Sequence, residues 1–172
     1  HFRGHSKGLG QATPEDARAA YTDSSIANLS SIVVLAKTAT RSLLLTGDAC
    51  GDKVLEGLEL QGHLAPGGTM HIDLLKLMHH GSDRNVEPDF FTRVIADHYV
   101  FCGDGFHGNP ERATLEMLFG SRPAGGYTLH FTAELEPIDV AGKKDYEKRR
   151  AAGVPFEIRT PGALGRIEIA LD

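Results

Sequence analysis

The 172 residues contain no tryptophan, two cysteines and three methionines, and aromatic side chains make up 7% of the chain. Cys50 and Cys102 show no CxxC spacing, and two cysteines fall short of the disulfide density of a small secreted scaffold. Both read as reduced thiols, so a cytoplasmic protein is expected. No apolar run approaches the length of a membrane span, and no signal peptide is visible, so no membrane partner is expected. A basic excess is also lacking: Lys and Arg number 18 against 23 Asp and Glu, for a formal charge of −5. That argues against a domain held to nucleic acid by a broad basic surface. It leaves open an enzyme acting on nucleic acid, because metal ions at a site can carry the local positive charge. Internal repeats and low-complexity stretches are absent. The opening HFRGHSKGLGQATPED has no clear start of an element, so a chain that begins mid-protein is expected.

What is present is a 41% hydrophobic chain long enough for one domain with a real core, and nine histidines. Residues 1–27 read as loop, with a short helix possible after Thr13-Pro14-Glu15-Asp16. LSSIVVLA (29–36) and RSLLLTG (41–47), separated by KTAT, signal a hairpin. Both runs are apolar on successive residues, which predicts cover on both faces. KVLEGLELQGHL (53–64) has helical spacing, MHIDLLKLM (70–78) reads as a strand and EPDFFTRVI (87–95) as a short helix. HYVFC (98–102) and YTLHFTA (127–133) read as strands, ERATLEMLF (111–119) as a helix and KKDYEKRRAA (143–152) as a charged, exposed helix. PFEIRT (155–160) and LGRIEIAL (164–171) read as a closing hairpin over PGA. Strands alternating with helices predict an α/β layered fold with a mixed sheet.

Three loops each follow a predicted strand and carry ligand-type side chains beside glycine. They are LLLTGDA with Asp48, LLKLMHHGS with His79, His80 and Ser82, and YVFCGDGFHGNP with Asp104, His107 and Asn109. Sites in layered α/β folds gather at the carboxyl ends of strands, and glycine lets the backbone turn sharply against a ligand.

The order Thr46-Gly47-Asp48, His79-His80-Gly81-Ser82, then His107-Gly108-Asn109-Pro110 resembles the second half of a metallo-β-lactamase-fold hydrolase. The closest group is the competence-protein-like branch, related to the soluble domain of the DNA-uptake protein. NLSSIVVLA (28–36) resembles the Asn-x-Ser strand of that branch, and the likeness covers roughly residues 28–120. The resemblance implies the C-terminal half of an αββα sandwich. On that reading residues 1–27 are a connection from an upstream half, 28–135 the core half, and 136–172 a C-terminal helix and β-hairpin.

It further implies that Asp48 bridges two metal ions, about 3.5–4 Å apart. His80, or as second choice His79, supplies the last metal ligand. Zinc is the default, two ions in the complete site, with manganese the alternative. His107 would donate a proton to the leaving oxygen or hold a phosphoryl oxygen, and Ser82 and Asn109 would hydrogen-bond substrate. The implied activity is hydrolysis of a small-molecule or phosphodiester substrate, nucleic acid among the candidates, by a water made acidic through the metals. The family's upstream HxHxDH or HxDxDH string does not occur here; His1 and His5 lack its aspartates. The chain therefore carries about half of a dinuclear site, and the expected partner is the missing N-terminal half or a second copy.

Plainer readings stand beside these. Asp48 alone would be a turn residue capping a helix, the histidine pair a loop with one ring hydrogen-bonded in the core, His107 a solvated loop residue and Asp104 a turn former. Cys50 reads as a small buried hydrophobe. His63, His71, His98 and His130 show no partners in sequence and take no assigned chemistry. The rival to the hydrolase is a non-catalytic module of the same fold without a full metal site. A further rival is a single-metal or phosphate-binding domain.

Overall fold

The computed structural model describes residues 25–134, 140–162 and 165–171, with side chains of 140–145 excepted. The expected helix after Thr13, His1 and His5 lie outside the described residues. In chain order the elements are α1 (Ile26–Leu29), β1 (Val34–Lys37), β2 (Ser42–Leu45), α2 (Gly51–Leu60), β3 (Met70–Lys76), α3 (Pro88–Arg93), β4 (Val94–Phe101), α4 (Arg112–Ser121), β5 (Tyr127–Phe131), α5 (Val140–Ala151) and β6 (Phe156–Arg159). Two tight turns, Met78–Gly81 and Asp83–Asn85, separate β3 from α3.

The strands form one mixed sheet in the order β1-β2-β3-β4-β5-β6. β1 and β2 make the expected antiparallel hairpin, closed where Thr38 N–H donates to the Arg41 carbonyl at 2.8 Å. Every later pairing is parallel. The carboxyl ends of β2, β3 and β4 therefore lie side by side at one edge of the sheet. At the start of β2, Asp73 accepts from the Ser42 N–H at 2.7 Å and meets Arg41 at 3.3 Å. Chiefly that backbone hydrogen bond holds the Asp73 carboxyl below its ordinary range.

One face of the sheet carries the core. Leu44, Ile72, Leu75, Tyr99, Phe101, Leu129 and Phe131 pack with Val54, Leu55 and Leu58 of α2, Phe90 and Phe91 of α3, and Leu115, Leu118 and Phe119 of α4. α2 binds through the spacing seen in sequence, with Val54, Leu55 and Leu58 buried on one side. Pro88 sits in the first turn of α3, as expected. Helix α5 forms over the charged run, but it is not wholly a solvated face: Tyr146 is buried against Phe119 and Phe131.

Three expectations need correction. The register aligns Val34, Leu45, Lys76, Val100, His130 and Arg159 across the other face, with Ala36, Leu43, Leu74, His98, Thr128 and Glu157 as the next row. At the β1–β2 end that face is open, with Val34 44% and Leu45 40% exposed, so the two apolar runs are not covered on both faces. The closing hairpin does not form. β6 pairs parallel with β5, and residues 165–171 join no strand. Leu171 instead accepts from Arg41 Nε at 2.9 Å, far across the sheet from β6. Strand β4 also begins at Val94, inside the stretch assigned to the preceding helix, because α3 ends at Arg93 and the β-branched Val94 and Ile95 enter the ladder.

Candidate functional site

The Thr46–Asp48 loop leaves β2 and is held from three sides. Thr46, fully buried, donates through Oγ1 to the Lys76 carbonyl at 2.8 Å, and Lys76 Nζ donates to the Gly47 carbonyl at 2.8 Å. Gly47 takes φ +56°, and a Cβ there would stand 3.1 Å from Ser31 Cβ. Ser31 Oγ accepts from the Asp48 N–H at 3.1 Å, so the chain entering β1 fixes the loop that leaves β2.

The histidine pair leaves β3 in an uncommon backbone. His79 and His80 both lie in the left-handed region, at φ 42° and 59°, followed by Gly81 at φ 90°. For a residue bearing Cβ that region costs roughly 1–2 kcal/mol. The surroundings hold it: His79 N–H donates to the Gly47 carbonyl at 3.0 Å, Ser82 N–H to the His79 carbonyl at 3.0 Å, and Asn109 Nδ2 to the same carbonyl at 3.3 Å. Gly81 is pressed against Pro110 and Phe101, where a Cβ would come within 2.7 and 2.8 Å.

These constraints bring two of the expected residues together. His80 Nε2 lies 4.0 Å from Asp48 Oδ1, both side chains partly open to solvent at 46% and 36%. A cation bound at ordinary zinc–nitrogen and zinc–oxygen lengths could touch both atoms at this span, with a wide N–metal–O angle of about 150°; a tetrahedral angle needs them about 0.6 Å closer. His80 Nδ1 is buried without a hydrogen-bond partner. That nitrogen is on the other side of the ring from Nε2, so the atom facing Asp48 and the atom left unsatisfied are different ones. The donors fit part of a metal site only: among the described residues no group of three or more His, Cys, Asp or Glu side chains is arranged to hold an ion.

His79 lies next to His80 with ring centroids 6.0 Å apart, its Nδ1 2.9 Å from Asn85 Oδ1. Ser82 is 4% exposed, and its hydroxyl serves the loop, accepting from Arg84 N–H at 3.3 Å and donating to Glu111 Oε1 at 3.4 Å. Burial, then the nearby Asp83, pushes the Glu111 carboxyl up from its ordinary value. Asn109 lies in the third loop and spends its amide nitrogen on the His79 carbonyl. His107 sits exposed at the tip of that loop and packs edge-on against Phe106 at 4.8 Å. Its described ring contact is with Phe106 and not with Asp48 or His80. Asp104 is the expected turn former, its Oδ1 accepting from Phe106 N–H at 3.0 Å. Cys50 is buried, as expected.

Sequence reasoning missed Ser31, Lys76 and Asn85, which hold the loops rather than carry ligand chemistry. Nothing in their spacing marks them. It also left His71, His98 and His130 without partners, which the structure corrects: His71 Nε2 meets Asp97 at 2.8 Å, and His98 Nδ1 meets His130 Nε2 at 3.0 Å. The first pair joins β3 to β4 and the second joins β4 to β5.

No protein-family profile matches the chain, and no solved structure does. Among curated proteins, microtubule-associated protein 1A of Rattus norvegicus, Mus musculus and Homo sapiens is each 36% identical over 67 residues, 38% of this chain. The match spans 2% of the length of those relatives.

Proposed function

We propose that this chain is the half of a metallo-β-lactamase-type hydrolase that supplies a carboxylate and an imidazole to a metal site, acting on a phosphodiester or a small-molecule substrate. The observation that carries this reading is the approach of Asp48 to His80 at the carboxyl ends of β2 and β3, 4.0 Å apart. Position supports it, because this is where layered α/β folds gather ligands. So does the left-handed backbone of both histidines, strain of a kind that clusters at functional sites.

Asp48 and His80 would hold zinc, with His79 as the neighbouring donor, and bound zinc would supply Lewis acidity and a water acidic enough to attack near neutral pH. The protein's own contribution is positional. Ser31, Lys76 and Gly47 fix the carboxylate loop, and Asn109 and Pro110 brace the histidine turn. His107, on the exposed loop, is the candidate proton donor to a leaving oxygen and Asn109 the candidate substrate contact, while Ser82, buried with its hydroxyl donated to Glu111, would reach substrate only if that bond is given up. The upstream half, with its HxHxDH string, is the proposed partner, and the open apolar face around Val34 and Leu45 is where it would pack.

The test is metal stoichiometry. Joined to a half that carries the HxHxDH string, the chain is expected to hold about two metal ions per site. Asp48→Asn and His80→Ala are each expected to remove at least one of them and to abolish hydrolysis of an activated phosphodiester. A complete protein that folds and holds no metal would leave the sheet and loops as a binding module, the second reading. What speaks for that reading is that the sequence contains no HxHxDH or HxDxDH string.

A further inference from the structure

His98 of β4 and His130 of β5 stand in adjacent rows of the sheet. Their rings meet with centroids 5.1 Å apart, and His98 Nδ1 lies 3.0 Å from His130 Nε2. His130 is 2% exposed, and its Nδ1 is buried with no hydrogen-bond partner among the described residues. That empty side decides where the hydrogens go. A neutral imidazole carries one N–H. On His130 Nδ1 it would be a buried donor without an acceptor, a rarer defect than an unused lone pair. The hydrogen therefore sits on His130 Nε2 and is donated to His98 Nδ1, which leaves the hydrogen of His98 on its own Nε2.

A proton has no good place in this pair. Added to His130, it must go on Nδ1, where nothing accepts it. Added to His98 with the bond kept, it reverses the donor, so the one hydrogen of His130 moves to the same empty Nδ1. Added to His98 with His130 unchanged, it sets two N–H groups against each other and the rings must part. The charged neighbours give no relief. Arg159 of β6 lies beside His130 in its row and opposes a charge there, while Glu157, in the row of His98, is spent on Arg159 at 2.9 Å. Lys76 of β3, also in the row of His130, donates to the Gly47 carbonyl, and Arg166 and Glu168 of the last segment are exposed and paired with each other at 2.7 Å.

We propose that His98 and His130 form an acid-sensitive latch between β4 and β5, which holds while both rings are neutral and frees the β5–β6 end of the sheet when a proton enters the pair. The latch does not depend on the hydrolase reading. Burial, with His98 and Arg159 adding to it, pushes the His130 pKa down to about 4, so opening that returns this ring to water is favoured as pH falls below the ordinary histidine value.

The experiment is NMR of the 172-residue chain. Near pH 8 a nitrogen–nitrogen coupling across the hydrogen bond is expected between His130 Nε2 and His98 Nδ1. No coupling, or a hydrogen on His130 Nδ1, overturns the proposal. Hydrogen exchange then tests the opening. From pH 7 to pH 5 the β5 amides are expected to lose about 20-fold more protection than those of β2 and β3, after correction for the intrinsic exchange rate. An equal loss in all of these strands overturns it. His130→Phe is expected to abolish the extra loss, and a folded variant that keeps it overturns the latch. If that variant does not fold, the wild-type comparison decides.

Discussion

Two consecutive side-chain-bearing residues in the left-handed region, followed by a glycine at φ 90°, concentrate the cost of the site in three positions. Gly81 has the least freedom, since any Cβ meets both Pro110 and Phe101. Gly81→Ala is expected to destabilise the protein by about 2–4 kcal/mol in urea unfolding. His80→Gly relieves backbone strain, so it is expected to leave stability unchanged or higher while removing the ring that faces Asp48. A second residue-scale prediction concerns His130, 2% exposed, whose pKa burial pushes down to about 4, with His98 and Arg159 adding to the effect. The folded state then binds fewer protons than the unfolded chain between the ordinary histidine value and about 4. Stability supplied by neutral His130 is present above that ordinary value and is lost as pH falls through the window. Thermal unfolding followed from pH 7 to pH 4.5 should show a loss on the order of 2 kcal/mol that His130→Phe flattens. At this scale the sequence marked Asp48, His79 and His80, because glycine beside a ligand-type residue after an apolar run is a local signal. It gave no hint of Asn85 or of the His98–His130 pair, since those contacts depend on strand register and loop closure.

The helices show how local signals survive folding. α2 and α4 sit close to their expected ranges because an apolar stripe at helical spacing needs only one face to bury. Leu118, fully buried between helix and sheet, illustrates the energy involved. Leu118→Ala is expected to cost about 2–5 kcal/mol, read from the shift of the denaturation midpoint. The strands were less legible. Of the LSSIVVLA run only Val34–Ala36 enters the ladder, in a strand that runs on to Lys37, and Leu29 instead ends the short helix Ile26–Leu29. The final two segments alternate like a hairpin, yet β6 finds its partner in β5 and the last segment stays outside the ladder. Alternation fixes which residues share a face and leaves the choice of neighbour to the rest of the sheet.

At the scale of the molecule, the described residues leave Val34 and Leu45 exposed at the β1–β2 end of the sheet. Beyond Val34 and Leu45, Ile26, Leu29, Ile32 and Val33 are also exposed around the β1 edge. Patches of this kind are common at interfaces, and the occupant proposed above is the half that carries the remaining metal ligands, a second copy being the alternative. Val34→Lys with Leu45→Lys is expected to weaken association of the chain with that half, read by sedimentation velocity, while leaving the unfolding midpoint nearly unchanged. The α/β class and the mixed sheet were legible because strands and helices alternate; the exposed face was not, because an apolar run does not say whether its cover belongs to the same chain.

The central claim is that Asp48 and His80 share one cation. Diffraction at the zinc absorption edge, from crystals of the protein joined to its HxHxDH half and grown with zinc, tests it directly. The account predicts an anomalous peak about 2.0–2.2 Å from an Asp48 carboxylate oxygen and about 2.0–2.1 Å from a His80 ring nitrogen. A peak elsewhere, or none with both side chains ordered as described, would contradict it.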